Sequence, residues 1–372
     1  MKIVFLSTIL RYPWGGADML WTRAAEASSE RDDQLLLFLS PLVRHHPRVE
    51  ALVNAGAELK ILANRHEPLS LPRRALRKIS TVVSRRDPIV QRLGAFAPDL
   101  VVVSCGGTYD LLLEPALTKW LQATRTPFRI VANWQCEHPY LSDADTESIT
   151  SIFAAAADIF FVSARNCEVT RRHLGVPLSN ASVIQNPLRW TQDDCGEWPN
   201  EDVWTLGAVS RLAPEKGIDL LIHAASAALG LQEDWVLRVH GEGPELSRLN
   251  RICHQLGLQG RVKFVGHVPA LATIWSSTHI LVSPAIDDGV PMTIPEAMLC
   301  ARPVLATCVG GAEDWIVHGR SGFLCPASTL PLLTTALADA WAQRANWRTM
   351  GEAAAIDARR HYQPDDYLRL IE

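Results

Sequence analysis

The sequence predicts an α/β fold of two open parallel-sheet domains, and three observations carry that reading. Short apolar runs alternate with longer stretches of helical spacing. The rhythm stops at a polar break that begins at Asn186-Pro187, and then it restarts. A chain of 372 residues also exceeds what one hydrophobic core usually serves, so the two rhythms read as two domains.

In the first domain, residues 1–187, the runs Lys2 to Leu6, Gln34 to Leu39, Glu58 to Leu62, Leu100 to Val103, Arg129 to Ala132, Ile159 to Val162 and Ser182 to Ile184 read as strands. Met19 to Ser28 and Pro47 to Ala55 carry helical spacing between them. Strand, helix, strand in this order implies a parallel sheet covered on both faces. Residues 188–201 hold Asp193, Asp194, Gly196, Pro199 and Asn200 and read as a linker. In the second domain, residues 202–350, the strands are Val203 to Val209, Trp235 to His240, Val262 to Val265, Ile280 to Ser283, Pro303 to Thr307 and Gly322 to Leu324. Helical stretches fall at Asp219 to Leu229, Glu245 to Leu256, Pro295 to Cys300 and Leu330 to Ala345. Residues 351–372 read as a helical segment that packs back on the first domain.

Composition bounds the partners. The formal net charge of -4 argues against a whole-molecule polyanion binder, so any basic patch is local. The 8 cysteines are widely spaced without a C-x-x-C pair, which reads as thiols in a reducing compartment and not as a disulfide framework or zinc site. Ile3 to Leu6 is too short for a signal-peptide core, and no apolar run approaches the ~20 residues of a spanning helix. The expected location is cytoplasmic. Leu71 to Asp87 contains Arg73, Arg74, Arg77, Lys78, Arg85 and Arg86, with no acid before Asp87. Such a face can meet an anionic membrane or a phosphorylated acceptor. A solvated face is the commoner and preferred reading, with peripheral contact at the inner membrane face as the alternative. No aromatics interleave this cluster, so nucleic acid is not an expected partner.

Ligands of open parallel sheets sit outside the carboxyl ends of the strands. Ile280 to Ser283 leads into Pro284-Ala-Ile-Asp-Asp288-Gly-Val-Pro-Met-Thr-Ile-Pro-Glu296, with a helix start expected near Met292 or Thr293. Backbone N–H groups at a helix start favour phosphate, and carboxylates accept hydrogen bonds from sugar hydroxyls. Asp288 and Glu296 therefore read as holding two hydroxyl-bearing groups that flank a phosphate. A solvated turn acid and a capping glutamate is the plain alternative. Upstream, Gly207-Ala-Val-Ser-Arg211-Leu-Ala-Pro-Glu-Lys216-Gly217 again runs from a strand into a loop. Arg211 and Lys216 read as a diphosphate clamp, or as surface partners of Glu215 and Asp219. Gly241, Gly243, Gly266 and Gly310-Gly311 stand at further strand exits, where glycine allows close backbone approach to a ligand. In the first domain, Gly15-Gly16 precedes a helix and admits a phosphate or forms a tight turn. Asn133, Gln135, Glu137 and His138 follow the strand Arg129 to Ala132.

From about Trp204 to Leu324, the pieces G-x-x-S-R-L…E-K-G, H-G-E-G-P-E-L, V-K-F-V-G and D-G-V-P-M-T-I-P-E-A-M, then R-P-V-L-A-T…G-G, resemble the retaining GT-B glycosyltransferases of family four in order and spacing. The resemblance implies two Rossmann-like domains facing a central cleft, with the donor bound mainly by the second. It implies transfer of a sugar from a nucleoside-diphosphate sugar to an acceptor hydroxyl with retained configuration, in glycan, polysaccharide or glycoconjugate synthesis. No metal or other cofactor is implied. By the same resemblance Arg211 and Lys216 meet the donor diphosphate, Glu296 holds the ribose hydroxyls and Asp288 contacts the donor sugar. Gly243, Gly289, Val290, Pro291, Met292 and Thr293 line the donor, and Gly15 and Gly16 approach it from the first domain. Asp288, Lys216, Arg211 and His138 form the candidate catalytic set. The sequence departs from the family pattern at Asp288, where glutamate is usual, at Ala301, where glycine is frequent, and at Ala312 to Asp314, where proline then glutamate is expected. A non-catalytic sugar-nucleotide-binding protein of the same fold and a nucleotide-sugar epimerase are the alternatives.

Overall fold

A computed structural model describes residues 1–10, 14–62, 87–134, 139–191, 194–200, 203–230 and 234–372. They form two compact units: Met1–Pro187 with Pro364–Glu372, and Leu188–Gln363.

The first unit holds strands β1 (Lys2–Ser7), β2 (Gln34–Leu39), β3 (Glu58–Ile61), β4 (Leu100–Gly107), β5 (Phe128–Trp134), β6 (Asp158–Phe161) and β7 (Ala181–Val183). All pair in parallel, in the order β3-β2-β1-β4-β5-β6-β7. A parallel sheet covered by helices has no solvent face, so its strands read as apolar runs without polar alternation. Val4, Leu36, Val101 and Ile130 are buried in one core, and Ile3, Phe5, Leu37 and Val102 in the other. Burial of each such side chain contributes about 2 kcal/mol. Some helix starts in this unit follow side-chain caps. Asp87 Oδ1 accepts from Ile89 N at 2.9 Å, ahead of helix Pro88–Phe96. Ser142 Oγ accepts from Asp145 N at 3.2 Å, ahead of helix Asp143–Ala155.

The second unit holds β8 (Trp204–Val209), β9 (Trp235–His240), β10 (Val262–Gly266), β11 (Ile280–Ser283), β12 (Val304–Thr307) and β13 (Gly322–Cys325). They also pair in parallel, in the order β10-β9-β8-β11-β12-β13. Each sheet has one point where strand order reverses, between β1 and β4 and between β8 and β11. Loops leaving neighbouring strands diverge there and open a crevice for ligands.

Two boundaries differ from the sequence expectation. The described residues of 188–201, read as a linker, pack on the second unit. Leu188, Trp190 and Cys195 lie against the core that contains Leu299 and Cys300. The buried Arg302 explains the rest. Its Nε donates to Trp275 O at 2.9 Å and Thr278 O at 2.8 Å, its Nη1 to Cys300 O at 2.7 Å, and its Nη2 to Glu197 O at 2.6 Å. The guanidinium lies 5.1 Å from the Trp198 ring centroid. Burial pushes its pKa down to about 10, so it stays charged, satisfied by carbonyl dipoles. Aspartate and proline set the segment's composition, but its tryptophans set its packing. Likewise, helix Trp347–His361 belongs to the second unit, where Ala354 and Ala358 pack with Ile294 and Met298. The return to the first unit is made by Pro364–Glu372. Tyr367, Leu370 and Ile371 join the Ile3 and Phe5 core there, and Asp366 Oδ2 accepts from Gln185 N at 2.7 Å. Among the described residues, no helix is long and apolar enough to cross a membrane.

Candidate functional site

The loops after β8 and β11 meet at the reversal point of the second sheet. Glu215 O accepts from Ile286 N at 2.8 Å and from Asp287 N at 3.2 Å. This backbone contact places Lys216 beside Asp288, with Nζ 2.6 Å from Oδ2. Their side chains are only 17% and 18% exposed, so the pair is screened far less than a surface ion pair. The other oxygen, Oδ1, accepts from Gly289 N at 2.9 Å. Arg211 lies apart, exposed, with Nη2 2.8 Å from Glu215 Oε1. Asp219, the other sequence-level partner for Lys216, is held by Arg248 at 3.0 Å. Arg211 thus pairs with Glu215 as the surface reading has it, whereas Lys216 pairs with Asp288 and not with Asp219.

Glycines fix the outlines of these loops. Gly310 has φ +55, and a Cβ there would lie 2.0 Å from Gly289 O. Gly311 N donates to that same oxygen at 2.8 Å. A Cβ on Gly243 would lie 2.3 Å from Leu212 O. At both positions the close approach is loop on loop. Gly289 and Pro291 are buried, and Val290, Met292 and Thr293 are half-buried. Among the described residues, Val290 N–H and Met292 N–H donate to no protein acceptor. Thr293 opens the short helix Thr293–Leu299.

Glu296 sits on this helix and is 4% exposed. Its carboxyl accepts no hydrogen bond among the described residues. Burial pushes its pKa up to about 7, Arg189 opposes that rise and Asp194 adds to it. A buried carboxyl without donors is costly, and hydroxyls of a ligand would satisfy it. Arg189 and Asp194 both come from the segment read as a linker, whose polar composition hid them. Among the described residues, no three His, Cys, Asp or Glu side chains group as metal ligands.

In the first unit, Gly15 N donates to Asp18 Oδ2 at 3.0 Å, and Gly16 opens helix Gly16–Glu30. Among the described residues, nothing lies within 4 Å of a Cβ placed on Gly15. Burial pushes the Asp18 carboxyl up to about 6, against its bonds from Gly15 N and Trp21. At the reversal point of this sheet, Asp110 Oδ2 accepts from Thr8 Oγ1 at 2.8 Å and Gly107 N at 2.9 Å. Asn133 Nδ2 donates to Ser104 Oγ at 3.0 Å and Cys105 O at 2.9 Å. Thr8 and Asp110 were missed in the sequence, although both follow strand exits and Asp110 follows Gly106-Gly107. Glu137, His138 and the basic cluster Arg73, Arg74, Arg77, Lys78, Arg85 and Arg86 lie outside the described residues.

Residues 196–355 match the glycosyl transferases group 1 family. The match spans Lys216, Asp288 and Glu296. The two-unit fold is the GT-B architecture of two Rossmann-like parallel-sheet domains. It aligns with HepE of Anabaena, solved in complex with UDP, at TM-score 0.75 and 20% identity, covering 100% of this chain and 98% of that one. An exopolysaccharide phosphotransferase of Streptomyces coelicolor is 32% identical over 95% of this chain and 38% of its own length. A GDP-mannose-dependent alpha-(1-6)-phosphatidylinositol monomannoside mannosyltransferase of Mycolicibacterium smegmatis is 29% identical over 43% of each. The chain thus spans less than half the length of these two relatives, 38% and 43%.

Proposed function

We propose that the protein transfers a sugar from a nucleoside-diphosphate sugar to an acceptor hydroxyl with retention of anomeric configuration, in glycan, polysaccharide or glycoconjugate synthesis. One observation carries this reading. A half-buried ammonium on the loop after β8, Lys216, and a buried carboxyl on the short helix after β11, Glu296, which has no donor among the described residues, flank one strand-order reversal. The group 1 match over the same residues supports it.

In this reading Glu296 accepts hydrogen bonds from the ribose hydroxyls, and Lys216 faces the diphosphate. The bond between the anomeric carbon and the phosphate oxygen breaks, and its electron pair stays on that oxygen. Lys216 stabilises the charge that develops there. The acceptor oxygen bonds to the anomeric carbon on the same face, and its proton passes to the leaving phosphate. Val290 and Met292 N–H groups have acceptors in the same diphosphate. The side chains supply the positive charge, so no metal is required.

Lys216→Ala and Glu296→Ala are each expected to cut transfer about 100-fold, with circular dichroism unchanged. The assay uses UDP- and GDP-sugar panels and reads the anomeric configuration of the product by NMR. Full turnover in both variants, or an inverted product, overturns the proposal. EDTA should leave the rate intact, and a complete loss restored by metal would contradict the role given to Lys216. A product that forms without acceptor would identify an epimerase instead.

A further inference from the structure

Asp288 stands where the family resemblance implies an acid that contacts the donor sugar. Its geometry points to different work. Both carboxylate oxygens are already engaged by the protein: Oδ2 by Lys216 Nζ at 2.6 Å and Oδ1 by Gly289 N at 2.9 Å. Aspartate is one methylene shorter than the usual glutamate, which keeps the carboxylate close to its own backbone and within reach of the next N–H. The partner, Lys216, is brought in by two backbone bonds from Ile286 N and Asp287 N to Glu215 O. Ion pair and backbone contact together zip the β8 loop to the β11 loop.

We propose that Asp288 is a positioning residue that acts on the donor diphosphate through Lys216 and not on the donor sugar. It fixes the ammonium at the reversal point and offsets part of its charge. A flexible lysine loses less rotamer freedom on binding when a carboxylate already holds it. The offset charge also weakens the grip on the diphosphate, which must leave after each turnover. This inference rests on the glycosyl-transfer reading above.

The test compares wild type, Asp288→Asn, Asp288→Glu, Lys216→Ala and the Lys216→Ala/Asp288→Asn double variant. Calorimetry with UDP and GDP, and with UMP and GMP as controls, reads the diphosphate alone, because none of these probes carries a donor sugar. Asp288→Asn is expected to bind the preferred diphosphate about tenfold tighter, with the monophosphate unchanged, and to turn over about tenfold slower. Asp288→Glu, which keeps the charge, retains most of the turnover. The turnover loss from Asp288→Asn is expected to vanish in the Lys216→Ala background, because the residue through which Asp288 acts is gone. Unchanged diphosphate affinity in Asp288→Asn, with an equal turnover loss in both backgrounds, would place Asp288 on the sugar and overturn the inference. Failure of the wild type to bind either diphosphate would instead overturn the nucleotide-sugar reading itself. Circular dichroism on every variant separates these outcomes from misfolding.

Discussion

Glu296 sits in an environment that a carboxylate rarely meets, 4% exposed on a short helix. Its pKa, pushed up from 4.5 to about 7 by burial, means that the folded chain holds a proton that the unfolded chain releases. Between about pH 4.5 and 7 the native state therefore binds more protons, and stability falls as pH rises through that window. Above it the ionised carboxylate has no protein donor among the described residues. Relative to Glu296→Gln, the wild type is expected to lose on the order of 2 kcal/mol between pH 5 and pH 8, read from urea unfolding at each pH. A flat difference would show that solvent reaches the carboxyl. Individual residues were unevenly legible. Glu296 stood out in the sequence because it follows a strand exit and a helix start. The partnership of Lys216 with Asp288 did not, because the two are 72 positions apart and Asp219 offered a nearer acid. Sequence proximity favours local pairs, whereas here a backbone contact between loops chose the partner.

At the scale of elements, strands were far more legible than helices. Strands buried on both faces must be apolar throughout, and such runs are visible without knowing the fold. Helices Asp143–Ala155 and Ala164–Leu174 expose polar faces over much of their length and blended into their surroundings. Ala301 has φ +56, a conformation that favours the glycine frequent in the family pattern and that alanine adopts at a cost. Gly310 marks a stricter requirement. Gly310→Ala sets a methyl group 2.0 Å from Gly289 O at a positive φ, so the loop from Asp287 to Pro291 must move. The expected cost is about 3 kcal/mol, measured by denaturant unfolding, together with weaker nucleotide binding. A variant that keeps full affinity would show that this loop need not hold its place for the ligand to bind.

For the whole molecule, the chain threads its units unequally. The second unit is one continuous stretch, Leu188–Gln363, while the first is closed by Pro364–Glu372. Deleting Pro364–Glu372 removes Tyr367, Leu370 and Ile371 from the core around Ile3 and Phe5, along with the Arg369 bonds to Val183 O at 2.8 Å and Ser182 Oγ at 2.6 Å. Hydrogen exchange is expected to speed up across β1, β2 and β7 and to stay unchanged across β8 to β13. Equal acceleration in both sheets would mean that the units unfold as one. The two-unit division itself was legible, because an apolar rhythm that stops and restarts marks two cores. The final crossing was not legible, because nine-residue docking segments carry too little pattern to name their partner.

That crossing also sets an order of assembly during synthesis. A ribosome releases β1 to β7 long before Tyr367 emerges, so the first sheet waits with part of its core uncovered. Meanwhile every residue of the second sheet and its helices leaves the exit tunnel. The half of the chain made later is thus the first to be complete, and the earlier half depends on it being finished. Chaperones that shield nascent chains would find an apolar target around Ile3 and Phe5 until Tyr367, Leu370 and Ile371 arrive.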